Sequence, residues 1–132
     1  MRRVLMPVLA GVIGLGLSPA LAGPIAITNY STTGNGAPAP CPQKIGFVFI
    51  VTGPNKTAFT YRFVRSDGGT SGVTSAIIGT PPIAGPTVSP IGYTWTLGSK
   101  TALPAFKGWV KLEVLTPGAT ASQPFNFTMK CA

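Results

Sequence analysis

The sequence predicts an all-β domain, an antiparallel β-sandwich of about seven strands, on three observations. Clusters of Gly, Pro, Ser and Thr interrupt the chain at roughly the 8–12-residue spacing of sandwich strands. The segments between them are rich in aromatic and β-branched residues and alternate apolar with polar, the period of a strand with one buried face. Beyond the first two dozen residues nothing repeats with helical period. Mean hydropathy is positive, which sets the chain apart from disordered sequences.

The N-terminus reads as an export signal. Arg2 and Arg3 form a positive start, "VLAGVIGLGL" (8–17) an apolar run, and Ala20-Leu21-Ala22 a small-x-small cleavage site. The run is too short for a membrane span, which takes about 20 residues. Residues 1–22 are therefore expected to be removed, leaving about 110 residues. The product is expected to be secreted or periplasmic, with no stable membrane insertion. Losing Arg2 and Arg3 lowers the formal charge from +8 to +6. The remaining cations are scattered rather than gathered on a stripe, which argues against nucleic-acid binding and leaves a mild attraction to anionic surfaces.

Residues 23–40 are Pro- and Gly-rich, with Ile25 and Ile27 alternating briefly, and read as an N-terminal arm, either a tether or an edge segment. Cys41-Pro42 opens the domain, 41–132. "KIGFVFIV" (44–51) is apolar on both faces and reads as a buried strand. "GPNK" (53–56) turns into "AFTYRFVR" (58–65), which "SDGGTSG" (66–72) closes. "VTSAII" (73–78) is a shorter strand and "GTPPIAGP" (79–86) a loop. In "TVSPIGYTWTLG" (87–98) Pro90 places the strand at an edge or bend. "SKTALPAFKG" (99–108) reads as a loop, "WVKLEVL" (109–115) as a strand, "TPGATASQ" (116–123) as a turn, and "PFNFTMKC" (124–131) as the last strand.

Alternation also assigns faces. Phe59, Tyr61 and Phe63 share one side, opposite Arg62 and Val64. Tyr93, Trp95 and Leu97 share another. Val110, Leu112 and Val114 face opposite to Trp109, Lys111 and Glu113. Phe125, Phe127, Met129 and Cys131 face in, with Asn126, Thr128 and Lys130 outward.

Cys-Pro before the first domain strand, "TYRFVRSDGG", "YTWTLG", "GWVKLEVLTP" and the closing "FTMKC" together resemble secreted bacterial immunoglobulin-like domains. The resemblance covers 41–132 and implies an immunoglobulin-like, noncatalytic, extracytoplasmic β-sandwich with a disulfide between its first and last strands. It implies that the strand 58–65 lies beside 109–115, and 109–115 beside 124–131. Antibody-type domains instead bridge two central strands, so antibody-like recognition is not implied.

The residues themselves carry little catalytic chemistry. There is no histidine, which removes Ser-His-Asp and Cys-His catalysis and the commonest metal ligand. Asp67 and Glu113 are the only carboxylates, one in a Gly-rich turn and one on a strand, so a carboxylate-pair hydrolase is not expected. "GSKT" (98–101) lacks the glycine spacing of a phosphate loop, and "DGGTSG" lacks the carboxylates of a calcium loop. Asn29, Asn55 and Asn126 begin glycosylation sequons, a pattern that arises readily by chance. No enzymatic activity, cofactor or metal is expected. Cys41 and Cys131 bracket the domain with none left over, and in an exported chain such a pair reads as a structural disulfide.

The functional expectation is a noncatalytic exported interaction or structural module. Its candidate contact face is Arg62, Trp109, Lys111, Glu113 and Lys130, and its partner a protein or a cell-envelope glycan. The alternative is a carbohydrate-binding or envelope-adhesion module using Trp109 and its basic neighbours. A pilin-like subunit that donates residues 23–40 is disfavoured, because the last strand is complete.

Overall fold

The computed structural model describes residues 25–79 and 87–132. The export signal expected over 1–22 lies outside them. Eight strands are present among the described residues: β1 (Ala26–Thr32), β2 (Gln43–Thr52), β3 (Ala58–Arg65), β4 (Thr74–Ile77), β5 (Val88–Leu97), β6 (Ala105–Thr116), β7 (Thr120–Ala121) and β8 (Phe125–Lys130). They form two antiparallel sheets. One is β1-β2-β5, and the other is β4-β3-β6 with β7 and β8 both on β6. No helix long and apolar enough to cross a membrane occurs among the described residues.

The core is what alternation specifies. Ile45, Phe47, Phe49 and Val51 of β2 are buried against Val110, Leu112 and Val114 of β6 and Phe127 and Met129 of β8. Aromatic rings join the sheets: Phe63 stacks on Tyr93 at 4.5 Å between centroids, and Phe47 meets Phe127 edge-on at 5.2 Å. β2 corrects the expectation that it is buried on both faces. Val48 and Ile50 point away from the core and are only half-buried, as period two in a two-layer structure requires. Pro90 pairs with Ile50 on β5, which ends its sheet, so the missing N–H falls at an edge.

β6 begins four residues earlier than expected, since residues 105–108 belong to it rather than to a loop. Ala105 through Val110 pair with β8, while Glu113 and Val114 pair with β7. The expected turn over 116–123 thus contains a short strand, and β7 and β8 form one interrupted edge. Ser122 covers the interruption. Its hydroxyl accepts the Leu112 N–H at 3.0 Å and donates to the Gln123 carbonyl at 3.0 Å.

Residues 23–40 include β1, which pairs with β2 within the same chain. The chain then crosses to the other sheet and runs parallel to β8, with Asn35 opposite Thr128 and Ala39 opposite Cys131. Gly34 sits at the crossing. A Cβ there would come within 2.7 Å of the Phe127 Cβ and 2.9 Å of the Ile45 Cγ2, so only glycine lets the backbone pass. Cys41 and Cys131 close this end as a disulfide, with Cα atoms 5.4 Å apart and a sequence separation of 90.

Candidate functional site

The strand order expected from the resemblance is present in the second sheet: β3 pairs with β6, and β6 with β8. Its outer face collects the polar phase of three strands. Arg62 lies directly opposite Glu113, Val64 opposite Lys111, Trp109 opposite Asn126, Lys107 opposite Thr128, and Ala105 opposite Lys130. Of the residues expected on a contact face, Arg62, Glu113, Lys111 and Trp109 are therefore contiguous. Lys130 lies at the far end, about 26 Å from the Glu113 row at ~3.3 Å per residue.

Lys107 was missed by sequence reading and falls between them. Phase alone would have found it, because it is two residues before Trp109 on the same strand. Arg65 was missed for the opposite reason. It continues the inner phase of Phe59, Tyr61 and Phe63, and its guanidinium lies 4.5 Å from the centroid of buried Trp95.

The charges sort into two kinds. Arg62 Nε donates to Glu113 Oε1 at 2.9 Å. Arg65 holds Asp67 with two bonds, Nη2 to Oδ2 at 2.8 Å and Nε to Oδ1 at 3.1 Å. Asp67 also accepts the Gly69 N–H at 2.8 Å. That backbone bond, together with Arg65, outweighs the opposing desolvation and holds its carboxyl below the usual carboxylate range. Asp67 and Glu113 are the chain's only acids. Both are thus engaged by arginines, and Lys107, Lys111 and Lys130 have no carboxylate partner among the described residues.

Trp109 is held by its backbone rather than its ring. Its N–H donates to the Ser66 hydroxyl at 3.1 Å, and its carbonyl accepts the Ser66 N–H at 3.0 Å. The indole is half-buried on the outer face, with the Lys111 ammonium 5.3 Å from its centroid. Beside it opens a hollow of about 530 Å³, lined by Gly34, Lys107, Gly108, Trp109 and the β8 residues Asn126, Phe127 and Thr128. Lys111 is not part of that lining. A second hollow, about 420 Å³, shares Lys107 and Thr128 with the first and continues to Lys130.

No group of three His, Cys, Asp or Glu side chains comes together among the described residues. No protein-family model, curated protein or solved structure matches the chain.

Proposed function

We propose that this protein is a noncatalytic exported interaction module of immunoglobulin-like fold, and that the outer face of β3, β6 and β8 is its contact surface. Four features support the fold assignment: β1-β2-β5 in one sheet, β4-β3-β6-β8 in the other, the third strand beside the sixth, and the segment after β1 crossing to bridge β8 in the second sheet. The closed Cys41–Cys131 bridge supports residence outside the cytoplasm. Engagement of both carboxylates by arginines leaves neither free as an acid or base, which supports a binding role over a catalytic one.

The observation that carries the contact face is the Lys107–Trp109–Lys111 row. It sets an aromatic ring between two cations that no carboxylate neutralises, beside a hollow. The same hollow favours a cell-envelope glycan over a flat protein epitope as the partner. The test is sedimentation of the purified domain with a cell-envelope fraction from the organism that makes it. Trp109→Ala and Arg62→Ala are expected to reduce co-sedimentation, and Lys44→Ala, on the other sheet, to leave it unchanged. Equal retention of all three variants would place the contact surface elsewhere.

A further inference from the structure

We infer that the groove over β8 binds a linear acidic glycan, a chain of carboxylate-bearing sugars, and that Trp109 and Lys107 are its principal contacts. The inference rests on the contact face proposed above and adds the ligand's chemistry and its path. The two hollows share Lys107 and Thr128 and so lie in series. Together they run from the Trp109–Asn126 row to the Ala105–Lys130 row, about 13 Å along the strands at ~3.3 Å per residue. Asn126 and Thr128 form the floor, Lys107 and Trp109 one wall, and the crossing segment at Gly34 and Gly36 the other.

Each part suits one feature of such a ligand. The apolar face of a sugar ring packs on an indole, and Trp109 lines the hollow while Lys111, whose ammonium lies 5.3 Å from the ring centroid, does not. The amide of Asn126 and the hydroxyl of Thr128 can each donate and accept, as sugar hydroxyls require. Lys107 in the middle and Lys130 at the end meet carboxylates, and neither Asp67 nor Glu113 lines the groove to repel them.

Two other polyanions fit less well. An acidic peptide would dock by adding a strand to a free edge, but the edge of β8 is occupied by the chain's own segment, through Gly36 N–H to the Thr128 carbonyl and Ala39 N–H to the Lys130 carbonyl. A single-stranded nucleic acid stacks successive bases on several exposed aromatic side chains, whereas of the three aromatics lining the two hollows Phe127 is buried and Phe106 packs on Trp95 and Phe127, leaving Trp109 to offer a ring on the outer face.

The test uses affinity electrophoresis and calorimetry with sodium polygalacturonate and sodium alginate as probes, and with dextran and a single-stranded oligonucleotide as comparisons. Wild type is expected to bind at least one acidic polysaccharide, more weakly as salt rises, and to ignore dextran. Trp109→Ala and Lys107→Ala should each weaken that binding at least about tenfold, the scale of a buried aromatic or charged contact. Lys44→Ala should not. Binding that survives both groove variants, or tighter binding to the oligonucleotide, overturns the inference. If wild type sediments with the envelope through Trp109 yet binds neither polysaccharide, the ligand class falls and the contact face stands.

Discussion

The chain's two tryptophans each lie beside a cation, and the two pairs are built differently. Trp95 is 6% exposed, packed between Phe106 and Phe127, and its cation Arg65 is fixed by two bonds to Asp67. Trp109 is half-buried on the outer face, and its cation Lys111 has no carboxylate to hold it. A cation held over a ring by an anion closes off the end of a core. A cation over a ring with nothing behind it can move aside for a ligand at small cost, since an exposed cation–π contact is worth only ~0.5–1 kcal/mol. The difference separates the part of the molecule that maintains the fold from the part proposed as the contact face.

The largest effect that sharpens this separation is reduction of Cys41–Cys131. Opening a loop of 90 residues should lower stability by about 4–5 kcal/mol in the chain-entropy account. Envelope binding measured below the new melting midpoint should persist, because neither cysteine belongs to the β6–β8 ladder that carries Trp109. Loss of binding while the protein remains folded would tie the contact face to the bridge.

Next in size, Trp95→Ala removes a ring from between two others and should cost about 3–5 kcal/mol in urea unfolding. A cost below about 1 kcal/mol would mean that the core does not depend on this ring. Smaller again is the contrast between the cations. Arg65→Ala uncovers Trp95 and leaves Asp67 with the Gly69 N–H but no cation, so a loss of about 1–2 kcal/mol is expected. Lys111→Ala should cost under about 1 kcal/mol. Equal costs for the two would mean that the anion behind Arg65 makes no difference to the pair.

The smallest effect is in pH. The Asp67 carboxyl is depressed in the folded state, chiefly by the Gly69 N–H. Its contribution is therefore full above the ordinary carboxyl value of about 3.9 and is lost as pH falls through the lowered folded value. Asp67→Asn keeps the turn's acceptor but does not titrate. The melting-temperature gap between wild type and this variant should narrow as pH falls below about 4. A gap that stays constant to lower pH would remove the carboxylate from the account.

The strands were legible where side chains alternate cleanly. Phe125, Phe127 and Met129 could only share one face, and all pack into or against the core. The outward position of Arg62 opposite Glu113 followed from the same period once β3 was set beside β6. Legibility failed where turn-forming residues sit inside a strand. Pro104 and Gly108 made 99–108 look like a loop and hid Lys107. Yet the Gly108 position needs a glycine within the strand, since a Cβ there would meet Ser66 Oγ at 2.5 Å and the Phe106 ring at 2.6 Å. Arg65 was hidden by its charge, because an inner-phase arginine breaks the apolar pattern. It is tolerated where the strand ends and Asp67 is within reach. The crossing at Gly34 depends on contacts with Phe127 and Ile45, far along the chain, which no local pattern carries.

The most direct test of the separation is Trp109→Ala, with urea unfolding and envelope co-sedimentation read on the same preparation. The account predicts an unfolding free energy within about 1 kcal/mol of wild type, the range for a substitution outside the core, together with loss of co-sedimentation. A stability loss as large as that of Trp95→Ala, or co-sedimentation equal to wild type, would contradict it.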